Sequence, residues 1–152
     1  MSTVEQSVDV DVPLHTAYNQ WTQFEEFPHF MEGVEEVRQI DDRHTQWRTS
    51  IAGAEREFDA EIIDQVPDQR VSWQTVGGEV QQIGIVTFEP LGETRTRVSL
   101  TMAFEPGTIT ERAADALGII DRRVKGDLSR FKTFIEARSH ETGAWRGRLT
   151  PN

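Results

Sequence analysis

Between Val34 and Phe104 the chain reads as six short strands joined by connections of only a few residues, and that spacing constrains the fold more than any other feature. A parallel neighbour needs a crossover of about a dozen residues or more, so strands joined this tightly run antiparallel. The predicted strands are Val34–Ile40, His44–Ile51, Ala54–Asp64, Arg70–Thr75, Gln81–Phe88 and Thr96–Phe104. Turn-forming pairs such as Asp41-Asp42, Ala52-Gly53, Pro67-Asp68 and Gly77-Gly78 punctuate them. The third strand alternates most cleanly. Glu55, Glu57, Asp59 and Glu61 share one face, while Arg56, Phe58, Ala60 and Ile62 share the other.

A seventh strand precedes these, with valines at 4, 8, 10 and 12 among polar residues. Pro13 suits a first helical turn, and Leu14, Ala17, Tyr18 and Trp21 follow at helical spacing. A second short helical piece, 24–31, is broken near Pro28 and stopped by Gly33. After Pro106-Gly107, Thr108 and Glu111 have capping-box spacing. Apolar residues then recur at 113, 117, 120, 124, 128, 131 and 135, predicting one long helix that ends near Arg138 or Ser139. The apolar face of an antiparallel sheet must be covered, and only this helix is long enough. The expectation is an α+β fold: a curved seven-stranded antiparallel sheet wrapped around a long C-terminal helix, with two short helices after the first strand. One domain over 2–139 and a tail over 140–152 follow.

Composition narrows the function. The 152 residues contain no cysteine, which removes disulfides, thiol catalysis and Cys-ligated metals. A formal net charge of −10 argues against nucleic-acid binding, which draws on basic patches. No apolar run approaches the ~20 residues that span a bilayer, and the first residues lack a basic-then-apolar leader. The protein is therefore expected to be cytoplasmic, with no stable membrane insertion. Phosphate-binding glycine loops, nucleophile elbows and H-E-x-x-H are absent, and His15, His29, His44 and His140 have no ligand-like spacing. Neither a catalytic residue, a metal nor a cofactor is assigned.

Several segments together resemble the START-like superfamily with its helix-grip fold, which includes the birch pollen allergen, lipid-transfer domains, polyketide aromatase/cyclases and coenzyme-Q-binding proteins. They are Val10-Asp11-Val12-Pro13, Trp21 ahead of Phe27-Pro28-His29-Phe30-Met31, Val66-Pro67-Asp68, and Lys125-Gly126-Asp127-Leu128-Ser129-Arg130-Phe131. The resemblance covers about residues 2–138. It implies an internal cavity for a hydrophobic small molecule such as a lipid, isoprenoid quinone or aromatic polyketide-like metabolite. It also implies that Phe27, Phe30 and Met31, with Phe24, gate the mouth. The alternatives are a polyketide aromatase/cyclase-type enzyme and a ligand-free structural or stress-related protein. The polyketide enzymes of this superfamily carry a pocket arginine just before a Val-Pro-Asp turn; here Gln65 stands there, and that role does not carry over.

Strand alternation places Trp47, Phe58, Trp73, Val86, Phe88, Leu100 and Met102 on the inward face, and the helix stripe adds Leu117, Ile120 and Val124. These residues either line a cavity or fill a core. Arg56 shares their phase, as a ligand anchor or as a residue at the mouth that is solvated or paired with an acid. Tyr18 is the only phenol. The acidic row at 55–61 reads as a solvated outer face. Arg122, Arg123, Lys125, Arg130 and Lys132 read as a solvated helix face with intrahelical pairs. Trp145, in the tail, is expected to be buried against its own domain or a second subunit, the latter a hint of a homodimer.

Overall fold

The computed structural model describes residues 2–109 and 115–150. Seven strands form one sheet: β1 (Ser2–Val10), β2 (Val34–Gln39), β3 (His44–Ile51), β4 (Ala54–Val66), β5 (Arg70–Gly78), β6 (Gln82–Gly92) and β7 (Arg95–Phe104). All neighbours are antiparallel, in the order β1-β7-β6-β5-β4-β3-β2. Between β1 and β2 lie α1 (Leu14–Trp21) and a 3₁₀ helix (Phe24–His29), while α2 (Pro106–Ile109) and α3 (Ala116–Arg138) follow β7. The capping-box glutamate Glu111 and the stripe position Ala113 fall outside the described residues. No helix among the described residues is long and apolar enough to cross a membrane.

The sheet curls because its strands carry extra residues, and a bulge bends a strand and increases its twist. On β4, Ile62 pairs with Trp73 and Asp64 with Ser72, so Ile63 is unmatched. That insertion changes the phase. Ile62 and then Gln65 are buried, where strict alternation would bury Asp64. A second irregularity lies on β5, where Gly77 pairs with Asp59 and Thr75 with Ala60 so that Val76 is unmatched, and another lies on β2 between Val34 and Glu36.

Helix α3 fills the hollow of this half-barrel with Ala116, Ile120, Val124, Leu128, Phe131 and Ile135, all buried. It ends at Ser139, which adopts φ 63° and closes the last turn through a 3.0 Å hydrogen bond to the Ile135 carbonyl. Leu117 is a correction: it is 49% exposed. It stands in the first turn of α3, and helical periodicity identifies a face without telling where the covering sheet stops. At the other end, Trp21 is the hub of an aromatic cluster. Its ring centroid lies 5.2 Å from Phe131, 5.3 Å from Phe27 and 6.4 Å from Phe30 and Phe88.

The segment read as a C-terminal tail runs back over α1. Thr142 exchanges two hydrogen bonds with the buried Gln20 amide, at 2.8 and 3.0 Å. Asn19 donates to Glu141 at 2.8 Å and accepts from Arg146 at 2.6 Å. The Trp145 N–H donates to Thr22 at 3.0 Å, and its ring packs against the core. Leu149 pairs with Gln65 through two backbone hydrogen bonds of 2.8 and 2.9 Å. Trp145 thus finds its partner surface within its own chain. Removing residues 140–152 should cost roughly 3–4 kcal/mol, at about 0.5 kcal/mol net for each of these partly exposed hydrogen bonds, the low end of the usual range. At about 2–4 °C per kcal/mol for a domain of this size, thermal unfolding should move down by about 6–16 °C; an unchanged midpoint would show that the strap contributes nothing.

Candidate functional site

A cavity of about 140 Å³ lies between the sheet and α3. Period-two alternation builds its wall. Thr45, Trp47, Thr49 and Ile51 come from β3, Phe58, Ala60 and Ile62 from β4, Val71 and Trp73 from β5, and Leu100 and Met102 from β7. Ile120, Arg123, Val124, Asp127 and Leu128 come from α3, and Trp21, Phe24, Phe27, Met31 and Val34 close one end. Trp47 and Phe58 stack face to face across β3 and β4, 5.8 Å apart and 8° from parallel. The Trp47 indole donates at 2.7 Å to the Thr45 hydroxyl, so its one polar atom is satisfied inside an apolar wall.

Trp73 keeps its place because of the glycine opposite. Gly84 pairs with Trp73 in register, and a Cβ added there would fall inside the indole ring. The ring covers the missing side chain, which protects a weak point in the strand. Gly78 serves a different need: its φ is 97°, and a Cβ would collide with the Phe58 backbone where β4 and β5 converge.

Phe27, Met31, Trp47, Phe58, Trp73, Leu100, Met102, Ile120 and Val124 of the expected set line the cavity. The others do not. Phe30 is a core residue rather than a gate, 5.2–5.3 Å from the rings of Phe131 and Phe134. Val86 and Phe88 are buried beside α1, where Phe88 meets Tyr18 edge-on at 5.4 Å and the space is filled. Leu117 lies outside, on the exposed first turn of α3. Arg56 is absent from the lining because backbone carbonyls hold it: its Nε donates to Thr108 at 3.2 Å and a terminal nitrogen to Glu55 at 3.0 Å.

Tyr18 is fully buried but lies away from the cavity. Gln65 donates to its hydroxyl at 3.1 Å, and the Arg146 guanidinium sits 5.5 Å from its ring centre. Burial is the main cause that pushes the phenol above its usual pKa, so it stays protonated at neutral pH. The Gln65 Oε1 and one Asp68 carboxylate oxygen, both buried, have no hydrogen-bond partner among the described residues.

Strand and helix patterns missed the polar part of the lining. Thr45 and Thr49 share the phase of Trp47 and could have been found by extending the alternation. Arg123 and Asp127 were read with the solvated face of α3, but they flank Val124 and Leu128 at the edge of the apolar stripe and reach the cavity. Asp127, with its side chain 16% exposed, accepts from the Glu32 N–H at 3.2 Å and from Arg130. Burial nevertheless outweighs these bonds and holds its carboxyl above the ordinary value. Among the described residues, no group of His, Asp and Glu side chains is arranged to hold a metal ion.

Two outcomes test this geometry. Gly84→Val should displace Trp73 into the cavity and lower stability by about 1–3 kcal/mol, as overpacking does, read by denaturant unfolding. For Asp127, a folded-state pKa above the unfolded one means that its favourable contribution is full below the unfolded pKa and is lost as pH rises through the folded one. Asp127→Asn removes this dependence. The midpoint of the variant should therefore gain on the wild type as pH rises from about 4 to 7; a gap that moves the other way would reverse the assigned shift.

The chain can now be set beside known proteins. Residues 10–133 match the family model described as polyketide cyclase/dehydrase and lipid transport. An uncharacterized 17.2 kDa protein from the melC2-rnhH intergenic region of Streptomyces lincolnensis is 58% identical over 147 residues, 97% of this chain and 98% of that protein. The fold is shared with the Zhui aromatase/cyclase from a Streptomyces species, with a TM-score of 0.78 at 17% identity, covering 95% of this chain and 99% of that one. A START superfamily protein from Mycobacterium smegmatis has a TM-score of 0.64 at 17% identity over 84% of this chain and 97% of that one. With the helix-grip architecture, the cavity under α3 and a family match over most of its length, this chain belongs to the polyketide cyclase/dehydrase and lipid transport family.

Proposed function

We propose that this protein binds a small hydrophobic molecule, with an apolar part about the size of one aromatic ring, between the sheet and α3. The observation that carries this reading is the cavity itself, about 140 Å³ and walled by aromatic and aliphatic side chains apart from Thr45, Thr49, Gln82, Arg123 and Asp127. An engineered apolar cavity of roughly 150 Å³ stays dry and takes up benzene. Pockets for drug-sized ligands are larger, about 300–1,000 Å³. Size therefore favours an aromatic metabolite over a lipid or an isoprenoid quinone, which would enter only by one end. Binding would draw mainly on burial of apolar surface, worth about 25 cal/mol per Å².

Cyclase- or dehydrase-type catalysis is the second reading. It is favoured by the family and by one observation, the buried carboxyl of Asp127 on the cavity wall with its raised pKa. Such a group holds its proton to higher pH than an ordinary carboxyl and so could act as a proton donor or acceptor on the cavity wall. Tyr18 offers no such route, since its hydroxyl is held by Gln65 outside the lining.

Native mass spectrometry of freshly purified protein, with organic extraction of whatever is released, tests the binding reading directly. A titration with toluene followed by two-dimensional NMR complements it. The expected result is saturable shifts at cavity residues, abolished in Ala60→Leu, where the added methyls occupy the space without unfolding the protein. An unliganded mass together with no toluene response would reject the binding role.

A further inference from the structure

We propose that Arg123 is the polar anchor of the cavity, so that the preferred ligand is an aromatic or compact apolar molecule bearing an anionic oxygen, a carboxylate or a phenolate. This inference rests on the binding role proposed above and specifies its ligand. Arg123 lines the cavity beside Val124, and its side chain is only 22% exposed. A guanidinium carries five donors in a planar fork. No hydrogen bond joins this one to any described residue; its nearest carboxylate oxygen is Glu32 Oε2, at 3.8 Å.

The neighbouring charges are already engaged, which makes Arg123 distinctive. Asp127, one turn further along α3, accepts from Arg130 and from the Glu32 N–H. Arg130 also donates to the Phe30 carbonyl at 3.0 Å. Glu32 is 68% exposed and is shared with Arg130 at 3.5 Å, so its hold on Arg123 is weak and solvent-screened. A guanidinium this far covered, with no hydrogen bond to a described residue, leaves donors that the protein does not satisfy. An incoming oxygen anion would supply the missing acceptor, and a carboxylate would match the fork with two parallel hydrogen bonds. The ring of the same ligand would occupy the apolar space beside Trp47, Phe58 and Trp73. Glu32 competes for the same donors at the rim, so it should weaken anion binding.

The test compares benzoate with toluene, two probes that share a ring and differ in the anionic group. Each is titrated by two-dimensional NMR into wild type, Arg123→Met, Arg123→Lys and Glu32→Gln, and spectral dispersion reports folding. Benzoate affinity should fall at least tenfold in Arg123→Met, recover in part in Arg123→Lys, and rise about two- to fivefold in Glu32→Gln. Toluene affinity should change less than twofold throughout. If Arg123→Met unfolds, Arg123→Gln provides the same neutral comparison. Toluene binding with benzoate indifferent to the residue at 123 would overturn the anchor and leave the cavity reading standing. Failure of both probes to bind wild type would overturn both.

Discussion

Everything in this molecule depends on covering one concave apolar sheet face with one helix. Neither surface is stable alone, because a sheet with an apolar face and a helix with an apolar stripe each need a partner. Here the contact is anchored where Trp21 meets Phe131 at 5.2 Å and Phe30 meets Phe131 at 5.3 Å. That cluster fixes one end of α3 against the short helices. Further along α3, residues of β3, β4 and β5 face the helix across the cavity, and the rings no longer fill the gap. The cavity is the space left by this change from filled to unfilled packing.

The cavity's character follows from its position. Its sheet wall comes from strand faces, so it is apolar and held rigidly by cross-strand pairs. Its charged part comes only from α3, where long side chains at the stripe's margin turn inward. A ligand would therefore meet two environments: a wall that selects shape, and a helix edge that selects charge. Outside the cavity, Tyr18, Gln65, Asp68 and Arg146 form a separate polar cluster where α1, the end of β4 and the strap meet. Arg146 donates to one Asp68 oxygen and to Asn19 at 2.8 and 2.6 Å while covering the Tyr18 ring, and so ties the strap to α1 and to the turn after β4.

Much of this was legible before any coordinates. Alternation along β3 to β7 identified the inward face, and the apolar stripe identified α3 to its last residue, because both periods reflect backbone geometry alone. Four kinds of feature escaped. Leu117 obeyed the period but lay beyond the sheet's edge, and Phe88 faced inward at the filled end; periodicity carries no information about where a partner surface begins or fills. The bulge at Ile63 reversed the phase of β4, bringing Gln65 inside without any glycine or proline to announce it. Arg123 and Asp127 looked like solvent-facing charges, since a long side chain at the margin of a stripe has a choice of direction that its position does not decide. The strap escaped as well, because its contacts are single polar pairs rather than a pattern.

The pairing of β1 with β7 has a consequence for how the chain acquires its structure. Ser2 lies opposite Phe104 and Val10 opposite Thr96, so the first strand has no lasting partner until most of the sheet has been made. Leu149 then ties the far end of the chain to Gln65. Contacts this distant in sequence slow folding, because loop-closure entropy is lost before the contact forms. Until β7 is made, β1 would lack its partner, and an unpaired strand edge is open to wrong pairing. β1 and the strap thus make pairings of long sequence separation, the kind that loop closure delays most.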